Sequence, residues 1–85
     1  VKVTLYSLPA SVCQGCKFTK KKFADFGIAY GEVQLDKSRD ALDHVHSLGY
    51  SSAPVVEVDM GDGATWTWSG YRPSQIERLA KEIRT

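Results

Sequence analysis

Only two of the 85 residues are cysteine, Cys13 and Cys16. That is too few for the disulfide framework with which small secreted domains compensate for a thin core. No apolar run approaches the ~20 residues that span a bilayer. The start of the chain lacks the basic segment leading into an apolar one that a secretory signal would carry. Charge of either sign is also missing in excess: the net value is +1, which excludes a general attraction to nucleic acid or membrane. There is no low-complexity tract and no internal repeat. What is there, 42% apolar and 25% charged residues, is the balance of an ordinary globular protein. The expectation is one soluble, monomeric, cytoplasmic domain over residues 1–85. At this size it would bury only ~60% of its unfolded surface, leaving a narrow stability margin.

The hydrophobic pattern reads β-α-β-α-β-β-α. Lys2 to Ser7 alternates as a strand. From near Cys13 to Phe26 the spacing turns helical, with Cys16, Thr19, Phe23 and Phe26 on one stripe and Gly27 as a left-handed stop. Ala29 to Leu35 is a second strand. Ser38 is placed to cap a helix through Leu48, with Asp40 in its first turn, Ala41, Val45 and Leu48 on its buried stripe, and Gly49 after it. Pro54 to Val58 and Ala64 to Ser69 make two more strands around the turn Met60-Gly61-Asp62-Gly63. Pro73 opens a last helix whose Ile76, Leu79, Ala80 and Ile83 share a face. Strand–helix–strand implies a right-handed parallel crossover, and the later hairpin adds an antiparallel pair. The expected fold is therefore thioredoxin-like α/β: a four-stranded mixed sheet flanked by three helices.

A C-x-x-C at a strand-to-helix junction reads as a redox site, because two thiols so spaced can close and open a disulfide ring without unfolding their surroundings. The thiolate is the nucleophile, and the unpaired N–H groups of a helix N-terminus favour negative charge. Cys13 falls at the helix tip and Cys16 on its inward stripe. Cys13 is thus expected to attack a partner disulfide and Cys16 to resolve the mixed disulfide. An inert disulfide and half of a zinc site are the alternatives. Zinc normally takes four ligands, and His44 and His46, two residues apart on a helix, point to nearly opposite sides. Both read as solvated. The lysines at 17, 20, 21 and 22 could tune the thiolate, dock a partner or simply face solvent. Pro54, opening a strand after Ala53, reads as the cis-proline that faces the disulfide in such a fold, or else as an ordinary strand-start proline.

With these parts in place the chain resembles the NrdH-redoxins, small glutaredoxin-like electron donors of class Ib ribonucleotide reductase. The resemblance runs through Cys16-Lys17-Phe18-Thr19-Lys20, Gly27-Ile28-Ala29-Tyr30, Leu48-Gly49-Tyr50 and Ala53-Pro54-Val55-Val56. Its most specific piece is Trp68-Ser69-Gly70-Tyr71-Arg72-Pro73, similar to the family's W-S-G-F-R-P with Tyr for Phe. The resemblance implies catalytic Cys13 and Cys16, supported by Gln14, Gly15, Ala53 and Pro54. It also implies a partner-binding cleft at Trp68, Ser69, Gly70, Tyr71 and Arg72, with Trp68 near the thiols rather than a plain core or surface aromatic. In the family that segment hydrogen-bonds to the loop before the proline and closes off the glutathione cleft.

The implied partners are thioredoxin reductase, with NADPH as the source of electrons, and the large subunit of class Ib ribonucleotide reductase. No metal and no cofactor beyond the Cys13–Cys16 disulfide is implied. The chain departs from the family in three places. Gln14-Gly15 stands where the family commonly has Val-Gln. Ala10-Ser11-Val12 lengthens the approach to Cys13. Leu8 stands where many relatives place a lysine. A glutathione-dependent glutaredoxin and a non-catalytic thioredoxin-like adaptor or metal-binding module are the competing readings.

Overall fold

The computed structural model describes residues 1–84. Strand β1 (Lys2–Ser7) leads into helix α1 (Gln14–Phe26), then β2 (Gly31–Gln34), α2 (Arg39–Ser47), β3 (Val55–Asp59), β4 (Thr65–Ser69) and α3 (Pro73–Arg84). The sheet order is β2-β1-β3-β4. β1 runs parallel to β2 with Thr4 opposite Gly31, and antiparallel to β3 with Leu5 opposite Val56. The β3–β4 hairpin sets Val56 opposite Trp68. This is the expected mixed sheet with three helices, a thioredoxin-like fold.

The period of two along β1 divides the core into two layers. Val3 and Leu5 join Val56, Val58 and Trp68 on one face, where Phe23 of α1 and Ile76, Leu79 and Ala80 of α3 close the larger cluster. On the other face Val55 packs with Leu35 and with Ala41 and Val45 of α2, and Tyr6, Leu8, Val33, Tyr50 and Ala53 pack around them. α1 and α3 thus cover one side of the sheet and α2 the other. Local signals set the helix ends. Gly27 adopts φ 68° and its N–H reaches the carbonyls of Ala24 and Phe23, while the Ser38 hydroxyl accepts the Ala41 N–H at 3.2 Å.

Two expectations about elements change. β2 is shorter than Ala29–Leu35 because, as an edge strand, it pairs only with the last four residues of β1, Thr4 to Ser7. Ile83 is 41% exposed although it continues the apolar stripe of α3. The stripe outruns the surface it covers.

Candidate active site

Cys13 is the N-cap of α1, with extended backbone (φ −144°, ψ 91°). Its sulfur accepts the Cys16 N–H at 3.1 Å, the role that a serine or aspartate oxygen fills at other helix starts. The first turn carries no acidic side chain, so nothing there opposes the N-terminal dipole. Cys13 and Cys16 are joined in a disulfide with Cα atoms 5.3 Å apart. Cys16 is 1% exposed and Cys13 8%. Cys13, but not Cys16, lines a cavity of about 470 Å³. Of the two cysteines, Cys13 is therefore the more accessible.

The Ala53–Pro54 peptide is cis, and Pro54 lies directly against the thiol turn. A Cβ on Gly15 would fall 3.1 Å from Pro54 Cδ and 3.5 Å from Tyr71 Cβ. Glycine allows this approach without displacing Pro54, which a Cβ would crowd. The segment after β4 then ties back to the same loop. The Gly70 N–H donates to the Pro54 carbonyl at 2.7 Å, and the Ser69 hydroxyl donates to the Ser52 carbonyl at 2.9 Å. Tyr71 is half-buried, with its ring 5.6 Å from that of Phe18 in α1. Gly15, Pro54, Ser69, Gly70 and Tyr71 therefore gather at the disulfide, while Gln14 and Arg72 sit exposed beside it.

Trp68 does not join them. It is 3% exposed within the α1–α3 core cluster, 5.0 Å from Trp66 on the same strand face. Its register partner Val56 points into that core, so the alternation of β4 turns Trp68 inward and leaves the cleft to the residues after it. The plain core reading is the correct one for this side chain.

The histidines also separate. His46 is exposed and lines the Cys13 cavity. His44 is not simply solvated: its Nε2 lies 2.9 Å from Glu57 Oε1, and its ring is 5.7 Å from that of Tyr6. The Tyr6 hydroxyl donates to the same carboxylate oxygen at 3.2 Å. Burial, together with the negative Glu57, raises the Tyr6 pKa.

The lysine run resolves into individual contacts. Lys20 pairs with Glu32 at 2.6 Å, Lys21 with Asp25 at 3.7 Å, and Lys22 lies over the Phe26 ring. Glu32 also accepts a 2.6 Å hydrogen bond from the fully buried Ser7 hydroxyl. Lys20 first and Ser7 second hold its carboxyl below the ordinary range, and the group clamps α1 to the end of β1.

The cavity itself was not legible in the motifs. Leu8, Val12, Leu35, Asp36, Leu42, Val45, His46, Ser51, Ser52 and Ala53 line it with Cys13. They come from four separate stretches of chain. Of these, the motifs name Ala53 as active-site support, Leu8 as a missing lysine and Val12 as part of the lengthened loop, but none of them as the wall of a cavity. Val12, 71% exposed, comes from the lengthened approach loop, whose turn is closed by a 2.9 Å bond from the Val12 N–H to the Pro9 carbonyl.

A disulfide at a helix tip, backed by the proline that precedes the inner strand β3, defines a thiol–disulfide oxidoreductase of the thioredoxin fold. A model of the glutaredoxin family matches residues 3–61. The glutaredoxin-like protein NrdH of Lactococcus lactis subsp. cremoris is 33% identical over 78 residues, 92% of this chain and 99% of the relative. That of Salmonella typhimurium is 34% identical over 91% of this chain and 86% of its own. Among solved structures, the NrdH-redoxin of Escherichia coli superposes with a TM-score of 0.78 at 29% identity, covering 93% of this chain and 95% of that one. A glutaredoxin from Archaeoglobus fulgidus gives 0.70 at 31% identity, covering 99% and 87%. The chain belongs to the glutaredoxin family and, within it, to the NrdH glutaredoxin-like proteins.

Proposed function

We propose that this redoxin carries electrons from NADPH and thioredoxin reductase to a disulfide in the large subunit of class Ib ribonucleotide reductase, acting as a cytoplasmic monomer. The Cys13 thiolate attacks one sulfur of the partner disulfide, forming a mixed disulfide and expelling the other sulfur as a thiolate. The Cys16 thiolate then attacks Cys13 and expels the first partner sulfur. Two electrons pass to the partner, which leaves as a dithiol after taking up two protons. The Cys13–Cys16 disulfide remains for the reductase, and no further cofactor takes part. Ser69, Gly70, Tyr71 and Arg72 form the partner-facing edge, with Pro54 behind it.

One observation carries the choice of reductant. Glutathione brings two carboxylates, which need cationic partners. The cavity beside Cys13 offers it Leu8 where a lysine would serve and Asp36 as a like charge, with His46 as the sole ring nitrogen source in the lining. The Ser69–Gly70 segment is meanwhile committed to the Ser52–Pro54 loop. The Escherichia coli relative is a glutaredoxin-like protein with a thioredoxin-like activity profile, which points the same way. The competing reading is a glutathione-dependent glutaredoxin; the Archaeoglobus fulgidus structure is of a glutaredoxin.

The oxidised protein offered separately to NADPH with thioredoxin reductase, and to glutathione with glutathione reductase, distinguishes the two. Reduction by the first system is expected, and reduction by the second alone refutes the proposal. Cys16→Ser should trap a mixed disulfide on Cys13 and Cys13→Ser should trap none; the reverse would overturn the assignment of the nucleophile.

A further inference from the structure

Around the thiols the charged side chains are unevenly committed. Lys20, Lys21 and Lys22 are engaged by Glu32, Asp25 and the Phe26 ring, and on α3 Arg78 lies over the Trp66 ring. Lys17 and Arg72 are exposed, and among the described residues neither forms an ion pair or side-chain hydrogen bond. Both stand at the disulfide. Lys17 directly follows Cys16, and Arg72 follows Tyr71, whose Cβ would be 3.5 Å from a Cβ on Gly15 between the two cysteines. Each is next in the chain to one ring of an aromatic pair, Phe18 and Tyr71, with centroids 5.6 Å apart and Phe18 44% exposed. Tyr71 packs against the α1–α3 core, whereas Asp36 lines the cavity on the α2 side of Cys13. The two sides of the nucleophile therefore differ in charge.

We infer that the Lys17–Phe18–Tyr71–Arg72 edge is a docking surface for an acidic segment flanking the disulfide of the partner protein. The inference rests on the dithiol-donor reading and adds to it the class of substrate sequence that is preferred. Two unpaired cations, each adjacent in the chain to one ring of this pair, complement a short stretch that carries Asp or Glu next to its cystine. Leaving them unpaired in the free protein means no internal ion pair must be broken on docking. Two exposed pairs of this kind together correspond to a rate advantage of about twofold to thirtyfold. The advantage should be screened by salt, because the Debye length shrinks from ~10 Å at 0.1 M to ~3 Å at 1 M.

The test uses two synthetic peptides with the same intramolecular disulfide, one flanked by Asp residues and the other by Lys residues. Reduced protein is mixed with each, and the second-order rate of dithiol oxidation is measured at low and high salt. The acidic peptide should react several-fold to tenfold or more faster at low salt. The ratio should fall toward one at high salt and invert in the Lys17→Glu/Arg72→Glu variant. The milder Lys17→Gln/Arg72→Gln variant, which should bring the ratio to one, keeps the test decisive if charge reversal disturbs folding. Equal rates in the unaltered protein, or a preference that survives charge reversal, overturn the inference alone. Failure to reduce either peptide overturns the dithiol-donor reading beneath it.

Discussion

Replacing Gly15 with alanine sets two effects against each other at the centre of the site. In the first turn of α1 the change removes backbone freedom from the unfolded chain and favours the helix by at most about 1 kcal/mol. Against this, the new Cβ arrives 3.1 Å from Pro54 Cδ, 3.5 Å from Tyr71 Cβ and 3.8 Å from Pro54 Cγ, where carbon pairs prefer about 3.5–4.0 Å. Pro54 cannot easily retreat. It is among the side chains less than 2% exposed, and its carbonyl is held by the Gly70 N–H at 2.7 Å. Forcing a methyl into such packing costs about 1–3 kcal/mol, so the net expectation is a loss of about 1 kcal/mol. For a domain of this size that lowers Tm by about 4–8 °C. Moving Pro54 away from the thiol turn should also slow reduction of a disulfide substrate. Gly31→Ala is the internal control. No atom lies within 4 Å of its added Cβ and its φ is not positive, so Tm should hold or rise and the rate should not change. Calorimetry and a disulfide-reduction assay on both variants decide the matter. A Gly15→Ala protein as stable and as fast as the original would refute the reasoning from close approach.

Two further outcomes follow from the same structure. Phe23 is fully buried with its ring 4.9 Å from that of Tyr30, so Phe23→Ala should cost about 3–5 kcal/mol and lower the urea midpoint by at least about 1 M; a smaller shift would mean that this core collapses around the gap. Glu32, whose folded pKa is depressed below its ordinary value of 4.5, contributes stability that is present above about pH 4.5 and lost as pH falls through the lowered value. Glu32→Gln should therefore weaken the protein near neutral pH and flatten its acid-side loss, which urea melts across pH 3–7 would show; parallel curves for the two proteins would exclude the Lys20–Glu32–Ser7 clamp as the source.

Local signals made much of the fold readable. The β-α-β-α-β-β-α order follows from periods of two and 3.6 set between Gly27, Ser38, Gly49 and Pro73, and each of these acts on its own neighbours. The thiol pair was legible for the same reason: Cys13 caps the helix that it begins, so its hydrogen bond to the Cys16 N–H spans only three residues. Side chains placed by partners far along the chain were less readable. His44 sits on the outer turn of α2 by any helical wheel, yet Glu57, thirteen residues on, reaches it from the sheet. Trp68 and Trp66 share a strand face by parity alone, but parity does not say which face is the core. That was decided by register, because Val56 and Val58 of β3 lie opposite Trp68 and Trp66.

The same distinction explains why the tail motif was informative and its tryptophan misleading. A hexapeptide that begins inside an edge strand and ends at a helix start must cross from core to surface. The inward alternation of β4 ends at Trp68, and the chain then turns at Gly70, with φ 87°, toward the thiols. Trp68 fixes the strand by filling the α1–α3 core, and Ser69 and Gly70 use that anchorage to hold the Pro54 loop. Tyr71 and Arg72 are thereby delivered to the disulfide edge. The motif acts at the site through its second half and on the fold through its first. Substitutions at Trp68 should accordingly register in stability, and those at Arg72 in the choice of partner.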